Sequence, residues 1–73
     1  MLRRICFLFS RLPKDKKIKV ITSIEGYDTS IDKTDILKTD DNQLTIFRSN
    51  GNICILNPEH IVAVATVNKE VWR

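Results

Sequence analysis

Glycine occurs only at positions 26 and 51, proline at 13 and 58, cysteine at 6 and 54, and histidine at 60 alone. The two glycines stand too far apart to form a phosphate-cradling loop. Two cysteines cannot build the disulfide framework of a small secreted domain, and neither has the neighbouring His or Cys that a zinc site requires. They read as small buried hydrophobes, with a Cys6–Cys54 bridge left open, and fit a reducing, cytoplasmic setting. His60 has no nucleophile beside it in sequence, and the adjacent Glu59 would point away from it on a strand. The carboxylate pairs Asp40-Asp41 and Asp32/Asp35 fall in polar turns, where solvated charge is expected. No apolar run approaches the roughly 20 residues that cross a bilayer. These absences point away from catalysis, a metal, a cofactor and a small-molecule substrate.

What is present suggests one small domain. Seventy-three residues, of which 42% are hydrophobic, suit a single folded unit rather than a disordered chain. So short a chain buries only about 60% of its unfolded surface, so its core is marginal and oligomerisation is a common support. The charge is divided. Residues 1–19 hold seven cationic side chains, Arg3, Arg4, Arg11, Lys14, Lys16, Lys17 and Lys19, against Asp15 alone, whereas residues 20–73 hold five against eight acidic ones. A basic head on an acidic body directs any attraction for phosphate or anionic lipid to the head.

Residues 1–12, MLRRICFLFSRL, have helical periodicity. Leu2, Ile5, Cys6, Leu8, Phe9 and Leu12 share one face, Arg3, Arg4, Ser10 and Arg11 the other, and Phe7 breaks the pattern. Pro13 stops the helix. The run Ile5–Phe9 also suits a short strand. The segment lacks a signal-peptide layout, and its arginine-rich, acid-poor start is set aside as a transit peptide because too little body would follow. Its apolar face can close the core or lie in a membrane interface.

Residues 13–17 form a basic linker, and residues 18–73 a β-rich body. In the first strand Ile18, Val20, Thr22 and Ile24 alternate with Lys19, Ile21 and Ser23. The polar stretch 27–35 places Asp28, Ser30 and Asp32 at alternate positions, but Lys33 and Thr39 stand where an EF-hand loop needs Gly and a bidentate Glu. These residues are turn formers instead. If Asp41-Asn42 and Asn50-Gly51 are two-residue hairpin turns, Leu37, Ile46 and Ile55 line up across three strands on one face, and Ile36, Phe47 and Cys54 on the other. Both faces are then apolar, so the sheet must curl on itself or be covered by the helix or a partner. Asn57–His60 forms a turn, and Ile61–Val67 reads as a strand buried on both faces, or, at a sheet edge, as a site for pairing with another chain. Trp72 reads as a partial core lid.

The string NGNICILNPEHIVAVA, Asn50–Ala65, resembles the flagellar FlbD-like small proteins, with Asn50, Gly51, Leu56, Asn57, Glu59 and Ile61 matching in type and spacing. It covers about a fifth of the chain and occupies the opposite end from its place in that family, so no flagellar role is carried over. The layout of an N-terminal helix, a meander and a short turn before the last strand resembles the Sm-like and SH3-like small barrels. That resemblance implies strands near 18–24, 29–38, 43–48, 53–57 and 61–67, ring formation and RNA binding, although the Sm-like Gly and Asp spacing is absent.

The expectation is a mainly β (α+β) domain, with an N-terminal amphipathic helix and an antiparallel meander of four to five strands. Its expected role is that of a small non-enzymatic interaction or regulatory protein that forms a homo-oligomer or binds a protein partner. Phe7, Phe9, Ile36, Phe47 and Trp72 are the candidate interface residues. One alternative is nucleic-acid binding by Arg3, Arg4, Arg11, Lys14, Lys16, Lys17 and Lys19. Another is attachment to a membrane surface through residues 1–12.

Overall fold

The structure, a computed structural model, describes residues 2–40 and 42–69. Helix α1 (Leu2–Ser10) is followed by strands β1 (Lys16–Thr22), β2 (Thr29–Ile31), β3 (Ile36–Thr39), β4 (Leu44–Phe47) and β5 (Ile53–Leu56). A 3₁₀ turn (Pro58–His60) then leads into β6 (Ile61–Asn68). The protein is mainly β, with one N-terminal helix and all its paired strands antiparallel, in two three-stranded sheets ordered β2-β1-β6 and β3-β4-β5.

Residues 2–10 are helical rather than extended. The helix closes early, where Arg11 N–H donates to the Leu8 carbonyl and Leu12 N–H to that of Phe9, because the residue before Pro13 is barred from continuing it. Lys33 Nζ donates to the Phe9 carbonyl at 2.8 Å, placing a cation at the helix C-terminus, where the dipole favours it. Ile5 and Leu12 are buried, and Leu2, Leu8 and Phe9 pack against the same core. Cys6, expected on the buried face, is exposed instead. It sits at the border of that face, and the core takes its neighbour Ile5.

Strand β1 begins earlier than its apolar pattern suggested, because Lys16 and Lys17 pair with Asn68 and Val67. The basic linker therefore shortens. Ile18 and Val20 point inward and are fully buried. Ile24 does not continue that face. The strand stops at Thr22, whose N–H donates to Asp28 Oδ1 at 2.9 Å, and the chain turns through Gly26 at φ +85°, a conformation glycine adopts without strain.

The stretch expected as one poor strand, 29–38, is two strands in different sheets. Between them, Asp35 N–H donates to the Asp32 carbonyl, Asp32 N–H to Asp35 Oδ2, and the Thr34 N–H and hydroxyl both to Asp32 Oδ1. These short polar side chains replace ladder bonds and turn the chain from one sheet into the other.

The β3–β4 register is the expected one, with Ile36 opposite Phe47 and Leu37 opposite Ile46. Positive φ was not needed at Asn42, because the Asp40 carboxylate accepts from the N–H groups of Asn42 and Gln43. The β4–β5 register differs by one residue: Ile46 faces Cys54 and Phe47 faces Ile53. The loop has three residues. Gly51 N–H donates to the Arg48 carbonyl and Arg48 N–H to the Asn52 carbonyl, with Gly51 at φ +90°. This is a turn followed by a left-handed bulge residue rather than a two-residue hairpin. Asn-Gly suits both loop types, so the dipeptide alone does not set the register. The shift exchanges the faces of β5: Cys54 and Leu56 turn inward, Ile53 and Ile55 outward.

One core of Ile5, Leu12, Ile18, Val20, Ile31, Leu44, Ile46, Leu56 and Ile61 joins the helix to both sheets. β6, expected to be buried on both faces, is an edge strand on which only Ile61 is buried. It takes the edge alternative that its apolar run left open, because small and β-branched residues serve both settings.

Candidate interaction surface

The outer face of the second sheet carries an exposed apolar row that nothing covers among the described residues. Register places Ile36, Phe47 and Ile53 in one row across its three strands, and the next row on the same side holds Lys38, Thr45 and Ile55. The exposures of Ile36, Phe47, Ile53 and Ile55 are 66%, 37%, 60% and 62%. Single exposed apolar residues are ordinary, whereas a contiguous group on a pleated sheet makes the face a candidate contact surface. The surface continues past Ile55 into a cavity of about 180 Å³ lined by Thr22, Ile24, Tyr27, Ile55, Leu56, Asn57 and His60. It could seat an apolar side chain.

Ile36 and Phe47 were legible as interface candidates. Ile53 and Ile55 were not, because the expected register divided the outer row between the faces. Phe7 is exposed, with the Arg11 guanidinium 4.8 Å from its ring centroid, a favourable cation–π distance. Phe9 is half-buried beneath Lys33, and Trp72 lies outside the described residues.

The basic residues are divided among several surfaces. Arg3, Arg4 and Phe7 border a depression on the helix. Lys17 and Lys19 line a cleft of about 540 Å³ with Asp28, Thr29, Ser30, Val67 and Asn68. Lys14 is exposed and Lys16 half-buried. With its apolar face packed on the core, α1 shows solvent mainly Arg3, Arg4, Cys6, Phe7 and Ser10.

An ion pair that sequence reading missed holds the frame of this surface. Arg48 Nη1 lies 2.7 Å from Asp35 Oδ2 and also donates to the Ser30 carbonyl, while Nη2 donates to Thr29 Oγ1. Asp35 is buried and Arg48 largely so. One planar guanidinium thus ties the end of β4 to β2 and to the turn between the sheets. The only sequence signal was an arginine immediately before a turn, which is usually a solvated residue.

Nearby, the Asp32 carboxyl is held below the ordinary aspartate range. The Thr34 hydroxyl is the main cause; the Thr34 N–H and Lys69, 3.7 Å away, add to it against partial burial. A depressed carboxyl stabilises the fold fully above its ordinary value and loses that contribution as pH falls through the folded one. Urea midpoints are therefore expected to decline as pH drops below about 4, and Asp32→Asn is expected to make that decline shallower. An unchanged slope would refute this role.

Ser23 Oγ stands 3.4 Å from His60 Nδ1. That is longer than a well-formed hydrogen bond, and no acidic side chain among the described residues orients the ring. Among the described residues no three His, Cys, Asp or Glu side chains converge as metal ligands, and no helix is long and apolar enough to cross a membrane. No protein-family model matches the chain, nor does any curated protein or solved structure.

Proposed function

We propose that this protein is a non-enzymatic interaction module that works by protein–protein contact. The observation that carries the reading is the exposed row Ile36–Phe47–Ile53, with Ile55 in the row beside it. Covering such a face removes apolar surface from water at about 25 cal/mol per Å², a driving force that a small core leaves unused within the monomer. The cavity beside Ile55 adds a seat for a partner's side chain, the usual form of an interface anchor. In this proposal the two sheets form an Sm-like or SH3-like small barrel, with the outer side of β3-β4-β5 as its working face.

The test is the double variant Ile53→Glu/Ile55→Glu. Both side chains are exposed, so folding stability is expected to change by less than about 1 kcal/mol, whereas binding of a fluorescent apolar dye to the native protein is expected to fall severalfold. Native protein that binds no such dye and remains monomeric at high concentration would overturn the reading.

Nucleic-acid binding is the second reading, favoured by Lys17 and Lys19 lining one cleft. It requires oligonucleotide affinity that falls steeply with added salt, because phosphate contacts release counterions.

A further inference from the structure

Strand β6 lies at the edge of its sheet, and the direction of its backbone groups can be read from one bond. Lys69 N–H donates to the Asp15 carbonyl at 3.0 Å. Positions 15 and 69 continue the β1–β6 register, in which Lys17 faces Val67, Lys19 faces Ala65 and Ile21 faces Ala63. In an antiparallel ladder, alternate pairs exchange hydrogen bonds. Val67, Ala65 and Ala63 therefore bond to β1, while Val64, Thr66 and Asn68 direct their N–H and C=O groups to the open edge.

Edges of this kind are normally protected by a charge, a proline, a bulge or shortness. β6 has eight residues without charge or proline, and its one irregularity lies opposite Ile21/Thr22, at its beginning. The other edge strands, β2, β3 and β5, have only three or four residues. Beside β6, between it and α1, runs a groove of about 470 Å³ lined by Arg4, Leu8 and Ala63–Thr66. The groove leaves the edge from Ala63 to Thr66 accessible beside the helix.

We propose that a second copy of this chain supplies a strand to that edge. Two β6 strands pair antiparallel about a two-fold axis and join the β2-β1-β6 sheets into one of six strands. An uncharged strand meets its own copy with no charge opposed. The lysines of β1 and their mates are held three strand spacings apart, roughly 14 Å, beyond the screening length of about 8 Å at physiological salt. A two-fold contact uses the regular part of the edge, Val64 to Asn68, on both copies and closes at two, whereas a β5-to-β6 contact is heterologous and does not close. This interface is separate from the apolar face and stands or falls without it.

Thr66→Pro tests the proposal. It deletes an N–H aimed at the open edge and leaves the β1 ladder its bonds. In sedimentation at tens of micromolar the native chain is expected to be a dimer, and Thr66→Pro to weaken the dimer at least tenfold. Ala65→Glu, which faces Lys19 in its own chain but opposes its mate near the axis, is expected to weaken it similarly, with partial recovery at high salt. In the native protein the Val64 and Thr66 amides are expected to gain hydrogen-exchange protection with concentration, a readout that needs no variant. A native monomer, a species larger than a dimer, or a dimer dissociated by Ile53→Glu/Ile55→Glu but not by the β6 variants would overturn it. A monomer that still binds apolar dye refutes the dimer and leaves the interaction face standing.

Discussion

Arg48→Ala is expected to lower the unfolding free energy by about 3–5 kcal/mol, the usual cost of leaving one member of a buried ion pair alone. Asp35, buried beneath the guanidinium, would lose its Arg48 partner, and the Ser30 carbonyl and Thr29 hydroxyl would each lose a donor. For so small a domain that loss is a large share of the total stability. Arg48→Lys is expected to recover little, because one ammonium cannot reproduce a planar fork that reaches three acceptors. Asp35→Ala should be costly as well. The double variant should cost less than the two single losses combined, since it leaves no charge stranded. Urea unfolding of the four proteins checks this. Single-variant losses under about 1 kcal/mol would show that the pair behaves like a surface contact.

The second large effect is expected at Ile5. Its side chain is fully buried where α1 meets the core, and Ile5→Ala should cost about 2–5 kcal/mol through lost transfer energy and the remaining cavity. Phe7→Ala on the exposed side of the helix should cost far less. The contrast assigns the helix to the core: equal, small effects of both substitutions in thermal unfolding would mean that α1 is dispensable to the fold. Because the loss at Ile5 is comparable to the stability of many domains of this size, the variant is best measured with the osmolyte sucrose, which favours burial.

Most of the elements were legible in the sequence because their signals were local. The helical stripe of residues 2–12, the alternation around Ile18 and Val20, and Asn57-Pro58 before Ile61 each specify a conformation within a few residues. The β3–β4 pairing was legible because the apolar rows and the turn agreed. The β4–β5 register was not, since Asn50-Gly51 is compatible with two loop lengths and Ile53, Cys54, Ile55 and Leu56 are apolar in either phase. The edge position of β6 was open for a related reason: IVAVATV lacks the polar alternation that would reveal a one-sided strand. The Arg48–Asp35 pair joins residues thirteen apart across a change of sheet, a relation no periodicity encodes. Of the interaction surface, Ile36 and Phe47 were legible as residues, but their union with Ile53 and Ile55 depended on that register.

The three-residue Ser49–Gly51 loop has a consequence for how this surface can vary among sequences. Point substitutions in β5 alter one side chain of the surface at a time. A single-residue insertion or deletion in the loop instead exchanges both outward isoleucines for Cys54 and Leu56, and exposes part of the core in the same step. The chemistry of this surface can therefore drift gradually by substitution, while loop length is held fixed by folding itself.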